Sequence, residues 1–335
     1  MIGPAAVRRV AGSTGFREEV VEKVLYLTAI LARFRTHPAL QNALALKGGT
    51  AINLFHLDVP RLSVDIDLNF IGGVDLQAMR AARPGFERAI EACCEREGCQ
   101  VRRVPGEHAG GKYRLRYLGG VGGSGSLEVD VNFVQRVPLF GVEERRPGFP
   151  PGTDASAIPV QTLKELAAGK CAALLTRAAP RDAFDVWQLL ELAPDLLARP
   201  ALRLAFVVQA GSAREDLGSE ARDRAPVTAK AVREELLPLL RIEVRPFGGD
   251  PEELAQRLTE VRHAVASTLL TWREPERAFL DRLIEAGEVE PNLLTEDPAL
   301  QSRIAAQPML RWKAMHVRRF RGLPPLETER DDEAI

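Results

Sequence analysis

Between Leu62 and Asn69 apolar and polar residues alternate without a break. Leu62, Val64, Ile66 and Leu68 fall in one phase, and Ser63, Asp65, Asp67 and Asn69 in the other. A period of two belongs to a strand with one dry and one wet face, so the pattern predicts a strand carrying two aspartates side by side on its wet face. Upstream, Val21, Val24, Leu25, Leu27, Ile30, Leu31 and Phe34 recur every three or four residues, which predicts an amphipathic helix over 18–34 packed on the sheet. Leu44-Ala45-Leu46 then leads into Lys47-Gly48-Gly49-Thr50, a glycine turn that opens a helix over 51–57, and Asp58-Val59-Pro60 turns the chain into the acidic strand. A further helix over 75–98 is expected to break or restart at Pro84-Gly85.

Lys112–Leu118 and Leu127–Val134 alternate in the same way around a glycine- and serine-rich loop, so they predict a hairpin. Its wet face would carry Lys112, Arg114 and Arg116 on one strand and Glu128, Asp130 and Asn132 on the other. The Pro/Gly-rich stretch over 146–152 interrupts regular structure and sets the expected boundary between a domain of residues 1–153 and a helical domain of residues 154–335. In the second part Thr162 is placed to cap a helix to about Arg177, Arg181-Asp182 opens another to about Leu192, and amphipathic helices follow over 252–270 and 276–286. The acidic tail from Glu327 reads as frayed. The expected class is α+β, a small mixed sheet with helices followed by a helical domain.

Composition narrows the function classes. The 335 residues are 45% hydrophobic and 27% charged, as in a soluble globular protein with room for two cores. With 45 Lys and Arg against 46 Asp and Glu there is no global pull toward nucleic acid, so any such binding must come from local patches. The four cysteines fit neither a zinc pattern nor a secreted disulfide framework and read as free thiols in a reducing compartment. The first residues do not show the basic segment and long apolar run of a signal peptide and no stretch has the length to cross a bilayer, so the expected location is the cytoplasm.

Two aspartates at i and i+2 on a strand lie about 7 Å apart at the backbone and can converge on a hard divalent cation. Asp130, on the neighbouring wet face, is the best-placed third carboxylate, with Glu128 as a fallback. Taken alone, Asp-x-Asp is also what a plain solvated strand face looks like. The upstream turn changes that reading. Adjacent glycines let backbone approach an anion, and the helix start after them presents free N–H groups, so Gly48, Gly49 and Thr50 could hold the phosphates of a triphosphate. Lys170 interrupts the apolar stripe Leu163, Leu166, Leu174 of its predicted helix, and a cation there calls for an anionic partner; the alternative is a lysine reaching past a half-buried stripe to water. Asp182 is accounted for by the helix dipole, whereas Asp185 lies a turn further in. Ser63 shares the face of Asp65 and Asp67, and a phosphate on it would repel a bound triphosphate.

Lys47-Gly48-Gly49-Thr50, Arg61-x-Ser63-x-Asp65-x-Asp67-Leu68, Lys170 and Arg181-Asp182-x-x-Asp185 together resemble the AbiEii-type nucleotidyltransferase toxins over roughly residues 15–195. The first block also resembles the wider DNA polymerase β-like nucleotidyltransferase superfamily. The resemblance implies a polymerase β-like nucleotidyltransferase domain that moves a nucleotide from an NTP, with Mg²⁺ or Mn²⁺, onto an RNA acceptor such as the tRNA 3′ end. It implies an AbiEi-type antitoxin as partner, and it assigns Asp65, Asp67, Lys170 and Asp185 to catalysis. Gly48, Gly49, Thr50, Ser63 and Lys170 fall to nucleotide binding, and Asp65, Asp67 and Asp130 to metal. Two rivals stand beside this reading: the same chemistry on a small-molecule or protein hydroxyl, and a silent nucleotide-binding adaptor. Arg311, Lys313, Arg318, Arg319 and Arg321, with Trp312 and Phe320 between them, form either a strip that tracks RNA or an ordinary solvated helix face.

Overall fold

The computed structural model describes residues 2–104, 110–120, 123–152, 155–213, 217, 226–243 and 245–324. The tail from Glu327 lies outside the described residues. The fold is α+β around a seven-stranded mixed sheet of order β3-β4-β5-β2-β1-β7-β6. Its strands are β1 (Leu44–Lys47), β2 (Asp65–Phe70), β3 (Gln100–Val104), β4 (Gly110–Gly119), β5 (Gly123–Asn132), β6 (Val142–Arg145) and β7 (Ile158–Gln161). β2 runs antiparallel to β1 and parallel to β5, and β1 runs parallel to β7.

Alternation does what the sequence pattern requires. Ile66 and Leu68 on β2, Leu127, Val129 and Val131 on β5, and Tyr113, Leu115 and Tyr117 on β4 are buried on one face. Onto that face pack α2 (Glu18–Thr36) and α4 (Leu76–Arg96). Tyr26 of α2 stacks on Tyr117 at 3.9 Å between ring centroids, and Phe86 of α4 meets Phe70 and Phe133 edge-on at 5.2 and 5.9 Å. Each such buried ring contributes roughly 1.5–3 kcal/mol by leaving water.

Four local expectations change. The acidic strand begins at Asp65, and Ser63 and Val64 lie before it, outside regular secondary structure. Asn69, expected on the wet face, is fully buried beside Asn132, whose Oδ1 accepts the N–H groups of Val134 and Gln135 and so turns the chain over that end of the sheet. Helix α4 runs through Pro84 without a break, because Leu76, Met79, Phe86, Ile90 and Cys93 continue one buried stripe across it. Arg83 reinforces this, pairing with Glu87 at 2.8 Å and lying over the Phe133 ring at 4.3 Å. Thr162 occupies the N-cap position of α5 (Leu163–Arg177), but its hydroxyl makes no capping bond.

The helical part follows in the order α5, α6 (Pro180–Leu192) and α7 (Pro200–Ser212), then Pro251–Leu269, Glu274–Glu285, Pro298–Ala305 and Pro308–Arg321. The sheet does not end at the expected division: β7 lies beyond residue 153 and joins β1 to β6. The two parts are stitched further by Leu62 N–H donating to Leu239 O and by Arg303 and Gln307 donating to the carbonyls of Leu139 and Val137. The four cysteines are free and buried, and no described helix is long and apolar enough to cross a membrane.

Helix α5 ends at Ala178, a left-handed residue with φ 50° that closes the helix through its N–H to Leu174 O. An L-residue with a Cβ pays a steric cost there that glycine does not. Ala178→Gly is therefore expected to stabilise the protein by about 0.5–1 kcal/mol and Ala178→Val to destabilise it, read as opposite shifts of the urea midpoint.

Candidate active site

Strand register puts charged side chains into rows. Residues directly opposite on neighbouring strands share a face with Cβ atoms about 5 Å apart. One row across β1, β2, β5 and β4 is Lys47, Asp67, Asp130, Lys112; the next, across β2, β5, β4 and β3, is Asp65, Glu128, Arg114, Arg102. Asp65, Asp67 and Asp130 thus stand together on the wet face. Glu128 does not join them, since it is taken by Lys112 Nζ at 2.7 Å and Arg114 Nε at 3.1 Å. Its bond to Lys112 is the leading cause that holds its pKa below the usual glutamate value.

Among the described residues neither Asp67 nor Asp130 has a hydrogen-bond or ion-pair partner. Burial raises the pKa of Asp67, the charges of Asp65 and Asp130 add to the rise, and Lys47 and Lys170 oppose it. Among the described residues the Asp65 carboxylate has one contact, a long one to Arg181 Nη1 at 3.6 Å, with both side chains partly exposed. The described residues contain no group of three acidic, His or Cys side chains already gathered as a metal cage. The donor set nonetheless suits a hard cation. It consists of carboxylate oxygens, one of them half-buried, unpaired and disfavoured as an isolated anion.

The glycine turn faces these acids. Gly48 has φ 73°, and a Cβ there would collide with the Asp67 carboxylate, so both backbone conformation and close approach demand glycine. A Cβ on Gly49 would lie 2.8 Å from Arg61 Nη2, 3.0 Å from Ser63 Oγ and 3.7 Å from Asp185 Oδ2. Thr50 closes the turn by donating its hydroxyl to Asp65 O at 2.5 Å. The helix started by Gly48–Thr50 continues as a π-helical stretch, Ala51–His56. Its Asn53 donates to Gly49 O and to Asp185 Oδ1, both at 2.9 Å.

Asp185 is the hub of the buried half. It is fully buried and accepts Arg61 Nε and Nη2 in a fork at 2.7 Å each, with Lys170 Nζ at 3.0 Å. Burial pushes its pKa up, but Arg61 and Lys170 outweigh that and hold it down at about 2. Lys170 also donates to Asp182 Oδ1 at 2.6 Å, and Arg177 reaches the same carboxylate at 2.7 Å. Asp182 is therefore more than a dipole-favoured residue of a first turn: it is 2% exposed and fixes Lys170 from behind. The structure brings Gly48, Gly49, Thr50, Ser63, Asp65, Asp67, Asp130, Lys170 and Asp185 into one neighbourhood. Ser63 is buried there, at 6% exposure.

Sequence reasoning gave no role to Arg61, Asn53 or Gln135. Arg61 precedes Ser63, Asp65 and Asp67 in the same alternating phase, a signal that was open to use. Asn53 is the one polar residue in Ala51–Phe55. The basic C-terminal helix, Pro308–Arg321, divides. Arg318 is buried and bonded to the carbonyls of Ala286 and Pro324, Lys313 donates to Ala213 O, and Phe320 is 92% exposed.

Removing Arg61 would leave the Asp185 anion buried with Lys170 and Asn53 alone. Arg61→Met is expected to cost about 3–5 kcal/mol by urea denaturation at pH 7. Because the Asp185 pKa is depressed in the fold, its contribution is complete above the ordinary aspartate range and is lost as pH falls toward about 2. In Arg61→Met that acid-side loss should begin at higher pH, which parallel denaturation series at several pH values would show.

Comparison with known proteins follows the same lines. The profile described as nucleotidyl transferase AbiEii toxin, type IV TA system, matches residues 29–334. Among solved structures, the chain is similar to MenT4, a nucleotidyltransferase toxin from Mycobacterium tuberculosis H37Rv, with TM-score 0.53 and 18% identity over 92% of this chain and 99% of that one. At that identity the likeness establishes a shared fold. No curated protein matches the sequence. The chain belongs to the AbiEii family of nucleotidyltransferase toxins of type IV toxin–antitoxin systems.

Proposed function

We propose that this protein transfers a nucleoside monophosphate from an NTP to the 3′-hydroxyl of an RNA, the tRNA 3′ end being the favoured acceptor, with pyrophosphate leaving. The observation that carries the reading is the unpartnered Asp67, in line with Asp130, beside Asp65 and pressed against the Gly48 turn. Asp65, Asp67 and Asp130 would hold Mg²⁺ or Mn²⁺. When bound, such an ion neutralises phosphate charge and lowers the barrier to attack at the α-phosphorus.

The chain's own residues supply binding and alignment. Gly48 and Gly49 offer backbone that a phosphate can approach, and Thr50 fixes that backbone to β2 through Asp65 O. Lys170 is the cation on the phosphate side, with Ser63 lining the same wall. Asp182 and Asp185 hold its ammonium from two directions, so it meets a triphosphate already oriented. Asp185 is a positioning residue in this account. With Arg61, Asn53 and Lys170 on its oxygens it has no free lone-pair direction for a proton from the acceptor, and a pKa near 2 makes it a poor base at neutral pH.

An RNA acceptor is supported by the cations beyond the acids. Arg102, Arg114 and Arg116 lie on the wet face of β3 and β4, a strand or two from Asp130, where acceptor phosphates would be met before the 3′ end reaches the metal. An AbiEi-type antitoxin is the proposed partner, and the cytoplasm the proposed location.

The test is incubation with each labelled NTP, Mg²⁺ and purified tRNA, with sizing of the product. Wild-type protein should label a species of tRNA length. Asp65→Ala and Asp67→Asn should lose at least about a thousandfold in rate while keeping wild-type melting curves. The double change Arg114→Ala/Arg116→Ala should raise KM for RNA and leave KM for NTP unchanged. Label on protein or small molecules alone, or full activity in Asp65→Ala, would refute the assignment.

A further inference from the structure

Two lysines flank the acid pair in its own row, and neither closes on it. Lys112 is bound to Glu128 at 2.7 Å. Lys47, the first residue of the Lys-Gly-Gly-Thr motif and the one left without a role, donates to Gln135 Oε1 at 3.1 Å, its sole hydrogen bond or ion pair among the described residues. Gln135 is fixed in turn, because its N–H is held by Asn132 Oδ1 at 2.8 Å, at the turn that ends β5. Lys47 and Asp67 are direct cross-strand partners, and Asp130 is the next residue along the row. Opposite charges so placed would ordinarily pair.

We infer that Lys47 is an internal cation competing for the site of the divalent ion, and that Gln135 is a positioning residue that holds its ammonium away from Asp67 and Asp130. This rests on the metal reading above and adds to it a reason for the Lys47–Gln135 bond. Without the Gln135 acceptor, the flexible four-carbon stem of Lys47 can swing its ammonium onto the acids. A single positive charge seated there repels an incoming dication and removes a carboxylate oxygen from its shell. Held on Gln135, the same charge stays near enough to weaken binding of a bare ion, so the site would fill best when the phosphates of an NTP arrive with the metal.

The experiment uses Mn²⁺ alone as probe, with free ion counted by electron paramagnetic resonance in the absence of nucleotide. Gln135→Leu should weaken Mn²⁺ binding about tenfold or more. Lys47→Met should tighten it by a similar factor, and Lys47→Met/Gln135→Leu should bind at least as tightly as wild type. Lys47→Met keeps the idea testable if Gln135→Leu fails to fold, which circular dichroism melts would show. Wild-type affinity in both single variants overturns the inference. So does a double variant as weak as Gln135→Leu, since Gln135 would then be serving the site directly. Wild-type protein that takes up no Mn²⁺ with or without NTP overturns the metal reading and this inference with it, whereas normal uptake that ignores Lys47 overturns the inference alone.

Discussion

The fully buried fork between Arg61 and Asp185 is the constraint on which the rest of the site depends. It joins the segment entering β2 to helix α6 across 124 positions of sequence. Through Asp185 it also fixes Lys170 of α5 and, by way of Asn53, the carbonyl of Gly49. Two buried ions are costly to desolvate, and a nonpolar pair would often be no less stable. What the ionic version supplies is direction. Each Asp185 oxygen is claimed by named donors, so the glycine turn, the lysine and the strand are held in one mutual arrangement.

Charge is apportioned with equal economy on the open side. Rows of cations and acids run across adjacent strands, yet pairing is selective. Glu128 absorbs Lys112 and Arg114, Asp182 absorbs Arg177 and half of Lys170, and Gln135 occupies Lys47. Among the described residues Asp67 and Asp130 remain without a partner, against a turn where a side chain on Gly48 would collide with a carboxylate. It is on these unpaired acids, in a row flanked by lysines, that the proposed binding of a divalent cation rests.

Much of this was legible in sequence because it is local. Period-two alternation put Asp65 and Asp67 on one face, the hairpin pattern added Asp130, and a lysine in an apolar helical stripe marked Lys170. What stayed hidden was long-range or had an adequate local explanation. Asp182 could be satisfied by a helix dipole, so nothing in sequence asked for a second partner. Arg61 lay in the right phase, but its partner is on α6. Asn69 followed the alternation faithfully and is buried because the chain folds back over that end of the sheet. Pro84 signalled a break that the buried stripe of α4 overrides, and β7 follows a Pro/Gly-rich stretch that has the look of a boundary, although it completes the sheet. Periodicity reports which face a residue occupies, not what covers that face.

The central claim is that acids, glycine turn and Lys170 form one receptacle for a metal-bound triphosphate. The most direct measurement is a crystal structure with Mn²⁺ and a nonhydrolysable NTP, using anomalous scattering to locate the ion. The account predicts an anomalous peak within coordination distance of Asp65 and Asp67, with the phosphates lying between Gly48–Thr50 and Lys170. Ordered nucleotide bound elsewhere, or Mn²⁺ seated away from both aspartates, would contradict it.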